Sequence, residues 1–285
     1  METILKKAAW LNEAMPYIQK YHNKTVVVKY GGSAMLNEGL KSSVMRDITL
    51  LSSIGINVVL VHGGGPEINA MLARLGKEPV FIDGLRHTDA DTADVVAMVL
   101  AGKVNKRLVS LIHSNKGKAI GLCGVDAGMI IAEKVQAKTD LGFVGRVVKV
   151  DPACIFMAIS QGLIPVVATI GTDSSGQVYN INADTAAAAI ASSMKAEKLI
   201  SMTDVAGVLE DQADETTLIA DIKISEVPGL IERGVIAGGM IPKTECCAAA
   251  IRDGLKEAAI IDGRVEHSIL IELFSHKGNG TLLHG

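Results

Sequence analysis

Short, continuously apolar segments alternate along the chain with longer segments in which apolar residues recur every three or four positions. The β-branched run at 25–30 and the similar run at 57–62 predict two buried strands, followed by helices at about 40–53 and 66–75. Apolar strands that alternate with helices indicate a largely parallel sheet with helices on both faces. The predicted fold is therefore α/β, with an open, mainly parallel sheet sandwiched by helices.

The same alternation continues towards the C-terminus. Asp89 is a candidate N-cap for a long helix that extends to about residue 107, and residues 119–150 have the pattern of shorter strands. The later elements are predicted as helices at 153–161, 183–196, 225–234 and 241–254 and as strands at 164–170, 198–202 and 257–261. A last helix and strand are expected after them.

The first 21 residues precede this alternation. Apolar residues from Ile4 to Met15 fall near one face of a helix predicted over residues 3–21, which Pro16 is expected to kink or end. No linker marks a domain boundary, so we expect the division after the small-residue helix that ends at Ala196. The predicted organisation is a helical arm and two lobes, at residues 1–21, 22–196 and 197–285.

Composition narrows the function classes. The 285 residues are 48% hydrophobic, and 28 basic and 31 acidic residues give a formal net charge of −3, without the basic excess of a nucleic-acid-binding protein. No window reaches the roughly 18 unbroken apolar residues of a membrane span, and no signal-peptide pattern opens the chain. We expect a soluble, cytoplasmic protein with neither nucleic acid nor a membrane as a partner.

The four cysteines follow neither a metal-ligand spacing nor a disulfide framework. They are Cys123, Cys154, Cys246 and Cys247, with no Cys-x-x-Cys pair and no Cys/His ligand spacing. We therefore expect reduced thiols and no metal held by protein side chains.

Glycine loops follow the first two predicted strands. Gly31 and Gly32 come after the first strand, and residues 63–65 are three glycines after the second, followed by Pro66. Ligands bind beyond the carboxyl ends of parallel strands, and a helix that begins at Pro66 would present free N–H groups there. Tight turns alone are the alternative. Neither loop contains the Gly-Lys-Ser/Thr of a P-loop, and no G-x-G-x-x-G follows the first strand.

Polar residues cluster at two further helix starts. Asn180 and Asp184 lie at the start of the Ala-rich helix, where one of them would serve as the N-cap, yet three amide or carboxylate groups in five residues exceed what one cap needs. Lys243 lies near the start of a helix, where the macrodipole disfavours a cation unless an anionic ligand is bound. Arg86 can bind a carboxylate through two parallel hydrogen bonds or remain solvated.

Six motifs, in consistent order from about residue 21 to the end, resemble those of the amino acid kinase family. They are Lys29-Tyr-Gly-Gly, His62-Gly-Gly-Gly-Pro, Gly84-Leu-Arg-His-Thr, Asn180-Ile-Asn-Ala-Asp, Thr203-Asp-Val-Ala-Gly-Val-Leu and Gly238-Gly-Met-Ile-Pro-Lys. Within the family, the chain is similar to members that phosphorylate the γ-carboxylate of N-acetyl-L-glutamate with MgATP in arginine biosynthesis. The resemblance implies an acyl-amino-acid-binding lobe at 22–196 and a nucleotide-binding lobe at 197–285.

The family pattern also implies a role for each matching residue. Lys29 and Lys243 would neutralise the phosphoryl group in transit, and Asp184 would hold both lysines. The substrate would contact Gly64, Gly65, Arg86 and Asn180, and phosphate would contact Gly31, Gly32 and Gly63. ATP would contact Thr203, Asp204, Val205, Gly207, Val208, Leu209, Val235, Ile236, Ala237 and Gly238. Mg²⁺ is expected mainly on phosphate oxygens, and His62 is expected to make structural hydrogen bonds.

A helix ahead of the first strand is, in this family, typical of members inhibited by L-arginine, in which such helices interlace dimers into a hexameric ring. The resemblance therefore implies inhibition by L-arginine and a hexamer built as a trimer of dimers, with a PII-type signalling protein as a candidate partner. The candidate arginine-binding residues are Tyr17, His267, Glu272 and Gly278. For Glu272, a solvated helix face is an equal alternative.

Two other functions remain open from the sequence. Another kinase of the same fold, acting on glutamate, aspartate, carbamate or UMP, would keep both lysines, although the combination of His62, Arg86 and Asn180 favours N-acetylglutamate. A catalytically silent sensor would bind nucleotide or amino acid without turnover, and the presence of both lysines and Asp184 argues against it.

Overall fold

The structure, a computed structural model, describes the backbone of residues 2–285 and the side chains of residues 8–32 and 35–285, so Met1 and the side chain of Ile4 lie outside the described residues. The α-helices are α1 (Glu2–Tyr21), α2 (Glu38–Ser53), α3 (Gly65–Arg74), α4 (Ala90–Ala97), α5 (Asn105–Ser114), α6 (Ala153–Ser160), α7 (Ala183–Ser193), α8 (Val227–Glu232), α9 (Met240–Arg252) and α10 (Ser268–Phe274). The strands are β1 (Thr25–Tyr30), β2 (Asn57–His62), β3 (Phe81–Ile82), β4 (Leu85–Arg86), β5 (Ala119–Cys123), β6 (Ile130–Lys134), β7 (Val144–Val150), β8 (Ile164–Ala168), β9 (Ile170–Thr172), β10 (Val178–Ile181), β11 (Lys198–Thr203), β12 (Asp221–Lys223), β13 (Glu257–Asp262) and β14 (Gly280–His284).

The centre of the fold is an eight-stranded sheet in the order β12-β14-β13-β11-β1-β2-β8-β5. Neighbouring strands in it run parallel, except for the antiparallel pair β13 and β14. Two apolar cores lie on the two faces of the sheet, as expected when helices cover both. The predicted α/β fold with a mainly parallel sheet is confirmed.

Strand β1 lies in the middle of this sheet, and its side chains alternate between the two cores. Val26 and Val28 contribute to one core and Val27 to the other, because successive side chains of a strand point to opposite faces. Lys29 therefore faces the same side as Val27, where α7 packs against β1. A parallel sheet thus places a buried lysine at its carboxyl edge, beneath a helix.

Smaller sheets lie beside the central one. Strands β10, β7, β6 and β9 form a closed four-stranded barrel, and β3 pairs with β4 as a short antiparallel hairpin. The predicted strand at 164–170 is divided, because the chain leaves the central sheet after β8 and enters the barrel as β9. β1 pairs with β2 of the first predicted lobe and with β11 of the second, so the division at Ala196 remains a prediction.

The long helix expected from Asp89 differs most from its prediction. Asp89 does cap it, with a carboxylate oxygen 2.9 Å from the amide nitrogen of Thr92, but α4 ends at Ala97. A π-helix at Met98–Val104 follows, and α5 then extends to Ser114. Gly102 lies inside this wider turn, where local periodicity cannot distinguish a π-helix from an α-helix.

The predicted N-terminal helix is present, and it does not end at Pro16. α1 continues to Tyr21, whose side chain is buried together with that of Ala14. Trp10, Leu11 and Met15 remain exposed, at 49%, 57% and 47%. No helix among the described residues combines the length and apolar character needed to cross a membrane.

Candidate active site

Lys29, Asp184 and Lys243 meet at the carboxyl edge of the sheet, although they are far apart in the sequence. The Nζ atom of Lys29 lies 2.9 Å from Oδ1 of Asp184, and Nζ of Lys243 lies 2.7 Å from Oδ2 of the same carboxylate. Asp184 belongs to the first turn of α7 and Lys243 to the first turn of α9. One carboxylate therefore holds two ammonium groups side by side.

Burial and charge oppose one another in this cluster. Burial by itself would raise the pKa of Asp184, but Lys29 and Lys243 outweigh it and lower that pKa to about 2. Burial lowers the pKa of Lys29, and the neighbouring carboxylate counteracts that shift. The Ser201 hydroxyl also donates to Oδ1 of Asp184, at 3.2 Å. The carboxylate is therefore ionised at neutral pH and oriented by three donors.

The N-cap of α7 is Asn182, not Asn180 or Asp184. Its side-chain oxygen accepts hydrogen bonds from the amides of Asp184 and Thr185, at 2.9 and 3.2 Å. The sequence alone does not show which of the three polar residues caps the helix, because each type is a common N-cap. In the structure the first turn of α7 begins directly after Asn182, so Asn182 is the cap. Capping therefore leaves the side chains of Asn180 and Asp184 available for other contacts.

A cavity of 430 Å³ opens beside the two lysines. Eight of the ten residues predicted to contact the nucleotide line it, and Ile236 and Gly238 do not. Met202, Gln212, Gly239 and Met240 also line it. Gly239 and Met240 belong to the Gly238-Gly-Met-Ile-Pro-Lys motif, whereas Met202 and Gln212 lie outside the motifs and were missed, because only the fold brings them here. The eight are Thr203, Asp204, Val205, Gly207, Val208, Leu209, Val235 and Ala237.

Gly32 lies where this cavity meets the lysines, and its backbone requires glycine. Its φ angle is +68°, and a Cβ atom there would lie 2.5 Å from Oδ1 of Asp204. Gly31 is less constrained, since a Cβ would lie 3.4 Å from the end of the Lys29 side chain. The positive φ angle that glycine allows is thus present at Gly32, and the close approach of phosphate to this loop stays a prediction.

A second, smaller cleft of 200 Å³ reaches the start of α7. It is lined by all four residues predicted for the substrate, Gly64, Gly65, Arg86 and Asn180, and by Gly63, predicted for phosphate. Asn182 and Ala183 also line it, so Asp184 is the next residue along the chain. The cleft therefore ends next to the lysine–carboxylate cluster, whose two lysines line the 430 Å³ cavity.

Arg86 has unused hydrogen-bonding capacity in this cleft. Nη2 donates to the carbonyl oxygen of Gly65 at 3.3 Å, whereas Nη1 is buried and has no partner among the described residues. The ring of Phe81, its cross-strand neighbour in the β3–β4 hairpin, lies 4.7 Å from the guanidinium carbon. Burial lowers the pKa of Arg86. A carboxylate in the cleft would supply the missing acceptor.

A third cavity, of 590 Å³, lies between α1 and the C-terminal part of the chain. Tyr17, Glu272 and Gly278 line it, whereas His267 does not and instead places Nδ1 2.7 Å from a carboxylate oxygen of Asp47. Glu272 is only 7% exposed and lies 2.8 Å from Nζ of Lys198. The alternative of a solvated helix face for Glu272 is therefore wrong.

His62 is fully buried beside the glycine loop. Its Nδ1 lies 2.8 Å from the carbonyl oxygen of Gly63, and its Nε2 lies 3.1 Å from Nδ2 of Asn105. Burial lowers the pKa of His62 to about 4, so the ring is neutral in the folded protein at neutral pH. The expected structural hydrogen bonding by this residue agrees with these contacts.

Acid is expected to destabilise the protein through His62. The unfolded chain binds a proton at the ordinary pKa of 6.5 and the folded chain only near 4, so the unfolded state carries more protons between these values. The free energy of unfolding should therefore fall by about 3 kcal/mol as pH is lowered through this window. Urea titrations from pH 7 to pH 4 measure it.

The His62→Asn variant should lose this part of the pH dependence, because its side chain does not titrate in the window. Replacement of the exposed His113 by asparagine is the matched control and should keep it. An unchanged slope in the His62 variant would contradict the prediction.

Comparison with known proteins decides the family. The model of the amino acid kinase family matches residues 24–262. The chain belongs to the amino acid kinase family. It is 56% identical over 278 residues to an acetylglutamate kinase from Brachyspira hyodysenteriae, covering 98% of this chain and 96% of the relative. It is 57% identical over 274 residues to an acetylglutamate kinase from Actinobacillus pleuropneumoniae, covering 96% and 95%.

The chain is also similar to a solved structure of N-acetylglutamate synthase from Neisseria gonorrhoeae with coenzyme A and N-acetyl-glutamate. The TM-score is 0.85 at 28% identity, over 98% of this chain and 63% of the synthase chain. Another structure of that synthase, with coenzyme A and L-arginine, matches with a TM-score of 0.80 at 26% identity, over 97% and 65%. This chain thus spans about two thirds of the synthase. The predicted family membership and kinase class are confirmed by the family match and the kinase relatives.

Proposed function

We propose that the protein transfers the γ-phosphoryl group of MgATP to the γ-carboxylate of N-acetyl-L-glutamate, forming N-acetyl-L-glutamyl 5-phosphate in arginine biosynthesis. The observation that carries this proposal is the convergence of two cavities on the Lys29–Asp184–Lys243 cluster. Acetylglutamate kinase relatives at 56% and 57% identity support the choice of acceptor.

The two cavities suit the two substrates. A volume of 430 Å³ is within the range of small-molecule sites and suits a nucleotide, with phosphates directed towards Lys29 and Lys243. Arg86, with its unpartnered Nη1, would bind the α-carboxylate of the acyl amino acid together with Asn180. Gly31 and Gly32 would donate backbone hydrogen bonds to phosphate. The amide of Gly63, also predicted for phosphate, instead donates to the carbonyl oxygen of Tyr30 at 3.3 Å.

Phosphoryl transfer requires the protein to position the substrates and to stabilise charge, and it does not require a covalent nucleophile from the protein. The γ-carboxylate is ionised at neutral pH, so it can attack phosphorus without a general base, and ADP leaves as the new P–O bond forms. Lys29 and Lys243 would stabilise the charge on the phosphoryl oxygens in transit, held in place by Asp184. Mg²⁺ would supply further charge neutralisation from the phosphate oxygens. No group of three or more metal-ligating side chains occurs among the described residues.

Regulation by L-arginine is part of the proposal. The 590 Å³ cavity offers the buried Glu272 carboxylate and the Tyr17 ring, both suited to a guanidinium-bearing amino acid, with Gly278 in its wall. The exposed Trp10, Leu11 and Met15 of α1 support a homo-oligomer, which we propose is a hexamer built as a trimer of dimers. A PII-type protein as a partner, a cytoplasmic location and the two lobes divided after Ala196 complete the proposal.

A substrate panel tests it. ADP release from MgATP is measured with N-acetyl-L-glutamate, glutamate, aspartate, carbamate and UMP offered separately, each with and without millimolar L-arginine. Turnover with N-acetyl-L-glutamate alone is expected, and arginine should suppress it. Turnover with another acceptor would show that the proposed substrate is wrong. No ADP release with any of the five acceptors would favour a sensor without catalytic activity. Full activity in the presence of arginine would contradict the proposed inhibition.

A further inference from the structure

His62 begins the His-Gly-Gly-Gly-Pro motif, and the proposed transfer gives it no contact with substrate. Its hydrogen bonds determine which ring nitrogen carries the proton. A carbonyl oxygen only accepts, so the 2.8 Å contact with Gly63 requires a proton on Nδ1. Nε2 therefore accepts from Nδ2 of Asn105 at 3.1 Å. The ring is a fixed link between the Asn105 side chain and the glycine loop.

Asn105, the first residue of α5, holds the other end of this link against the sheet. Its side chain is almost fully buried, and Nδ2 lies 2.8 Å from the carbonyl oxygen of Val166 in β8 and 3.2 Å from that of Leu122 in β5. The amide therefore joins β2, through His62, to β8 beside it and to β5 on the far side of β8. Loss of the amide would leave buried acceptors unsatisfied and release the histidine ring.

The π-helix before Asn105 contacts the same loop from a second direction. A Cβ atom on Gly64 would lie 2.6 Å from Cδ2 of Leu100 and 3.3 Å from Cγ2 of Val104, so the segment packs directly on the glycine backbone. Gly63 is thus held through His62 and Gly64 through this apolar contact. The loop also lines the 200 Å³ cleft, together with Leu100, and there the carbonyl of Gly65 accepts from Arg86.

We infer that Asn105 and His62 are a positioning pair that fixes the loop 63–65 so that the free amides at the start of α3 face the acceptor carboxylate and the phosphoryl group. Amides in the first turn of a helix have no acceptor within that helix, so their direction is set by the chain that leads into it. Neither residue lines the cleft. The inference rests on the proposed function, because the chemistry that uses these amides is the proposed transfer.

The Asn105→Ala variant should lower kcat by about 10- to 100-fold, because a small displacement of positioning groups has that effect. KM for MgATP should stay within about twofold of wild type, since other elements line the nucleotide cavity. The dissociation constant of N-acetyl-L-glutamate, measured by calorimetry, should rise about tenfold. Asn115→Ala, at the other end of α5, is the matched control, because the side chain of Asn115 donates to the carbonyl oxygen of Leu111 in its own helix.

Two substitutions of His62 separate positioning from fold stability. Asparagine can keep a donor near the position of Nδ1, and so the bond to Gly63, whereas glutamine places its amide near Nε2 and loses that bond. We expect His62→Asn to keep at least about tenfold more kcat than His62→Gln at similar Tm. The two His62 variants also test the inference if Asn105→Ala does not fold.

Equal kcat in the two histidine variants, or losses that follow Tm alone, would overturn the positioning role. So would wild-type kcat in folded Asn105→Ala, or an equal loss in Asn115→Ala. If the wild-type protein does not turn over N-acetyl-L-glutamate, the proposed function is wrong. The dissociation constant of this ligand, compared between wild type and the variants, then tests the positioning role of Asn105 and His62. An unchanged dissociation constant in the variants, or no binding of N-acetyl-L-glutamate by the wild-type protein, would contradict that positioning role.

Discussion

Alanine in place of Lys29 or Lys243 is expected to lower kcat by about 10³-fold or more, a loss of roughly 4 kcal/mol of transition-state stabilisation. Each ammonium group lies within 2.9 Å of the Asp184 carboxylate and lines the 430 Å³ cavity, so either substitution removes one of the two positive charges held there. Because charge builds up on the phosphoryl oxygens during transfer, the loss should appear mainly in kcat rather than in KM. Steady-state ADP release at saturating substrates measures it.

Lys256→Ala is the matched control, since Lys256 is an exposed lysine that pairs with Glu197 away from both cavities. This variant should keep wild-type kcat. A reduction within about tenfold in the Lys29 and Lys243 variants would remove their assigned role, because charge stabilisation by a single removed donor is usually larger.

Alanine in place of Asp184 should affect the fold as well as the reaction. It leaves Lys29, 6% exposed, without its counter-ion, and breaking a buried ion pair on one side costs about 3–5 kcal/mol. We expect the free energy of unfolding in urea at pH 7 to fall by about that amount. We also expect kcat to fall by about 10³-fold, because both lysines lose the group that orients them.

A double variant distinguishes the two effects of Asp184. Lys29→Met combined with Asp184→Ala removes the unpaired charge, so stability should return while activity stays low. Asp253→Asn, an exposed carboxylate just beyond α9, is the control and should match wild type in both measurements. A single Asp184→Ala variant within about 1 kcal/mol of wild-type stability would show that the pair does not stabilise the fold.

Much of the fold follows from local pattern. The β-branched runs at 25–30 and 57–62 coincide with β1 and β2, because a fully buried strand needs an unbroken apolar segment. Helix starts marked by a capping side chain, such as Asp89, were also predictable. The candidate active-site residues were found from glycines and charges at predicted strand ends and helix starts, and from their likeness to family motifs.

Other features depended on contacts between distant segments. The π-helix before Asn105 exists where the chain packs on Gly64, and periodicity within the segment does not show it. His267 lies in the same C-terminal segment as Glu272, but its side chain contacts Asp47 on α2. The spacing of residues in the sequence does not indicate this contact. Ser201 reaches Asp184 because β11 pairs with β1 in a register that sets Ser201 beside Lys29.

The sequence by itself thus determined the α/β class, the family and the residue types at the site, since strand burial, glycine loops and helix caps are local properties. Only the tertiary structure decided that Lys29, Asp184 and Lys243 form one cluster between two cavities, with His62 and Asn105 behind the glycine loop. The physical reason is that parallel strand pairing brings the carboxyl ends of distant strands to one edge, and hydrogen bonds and ion pairs between them depend on register and packing.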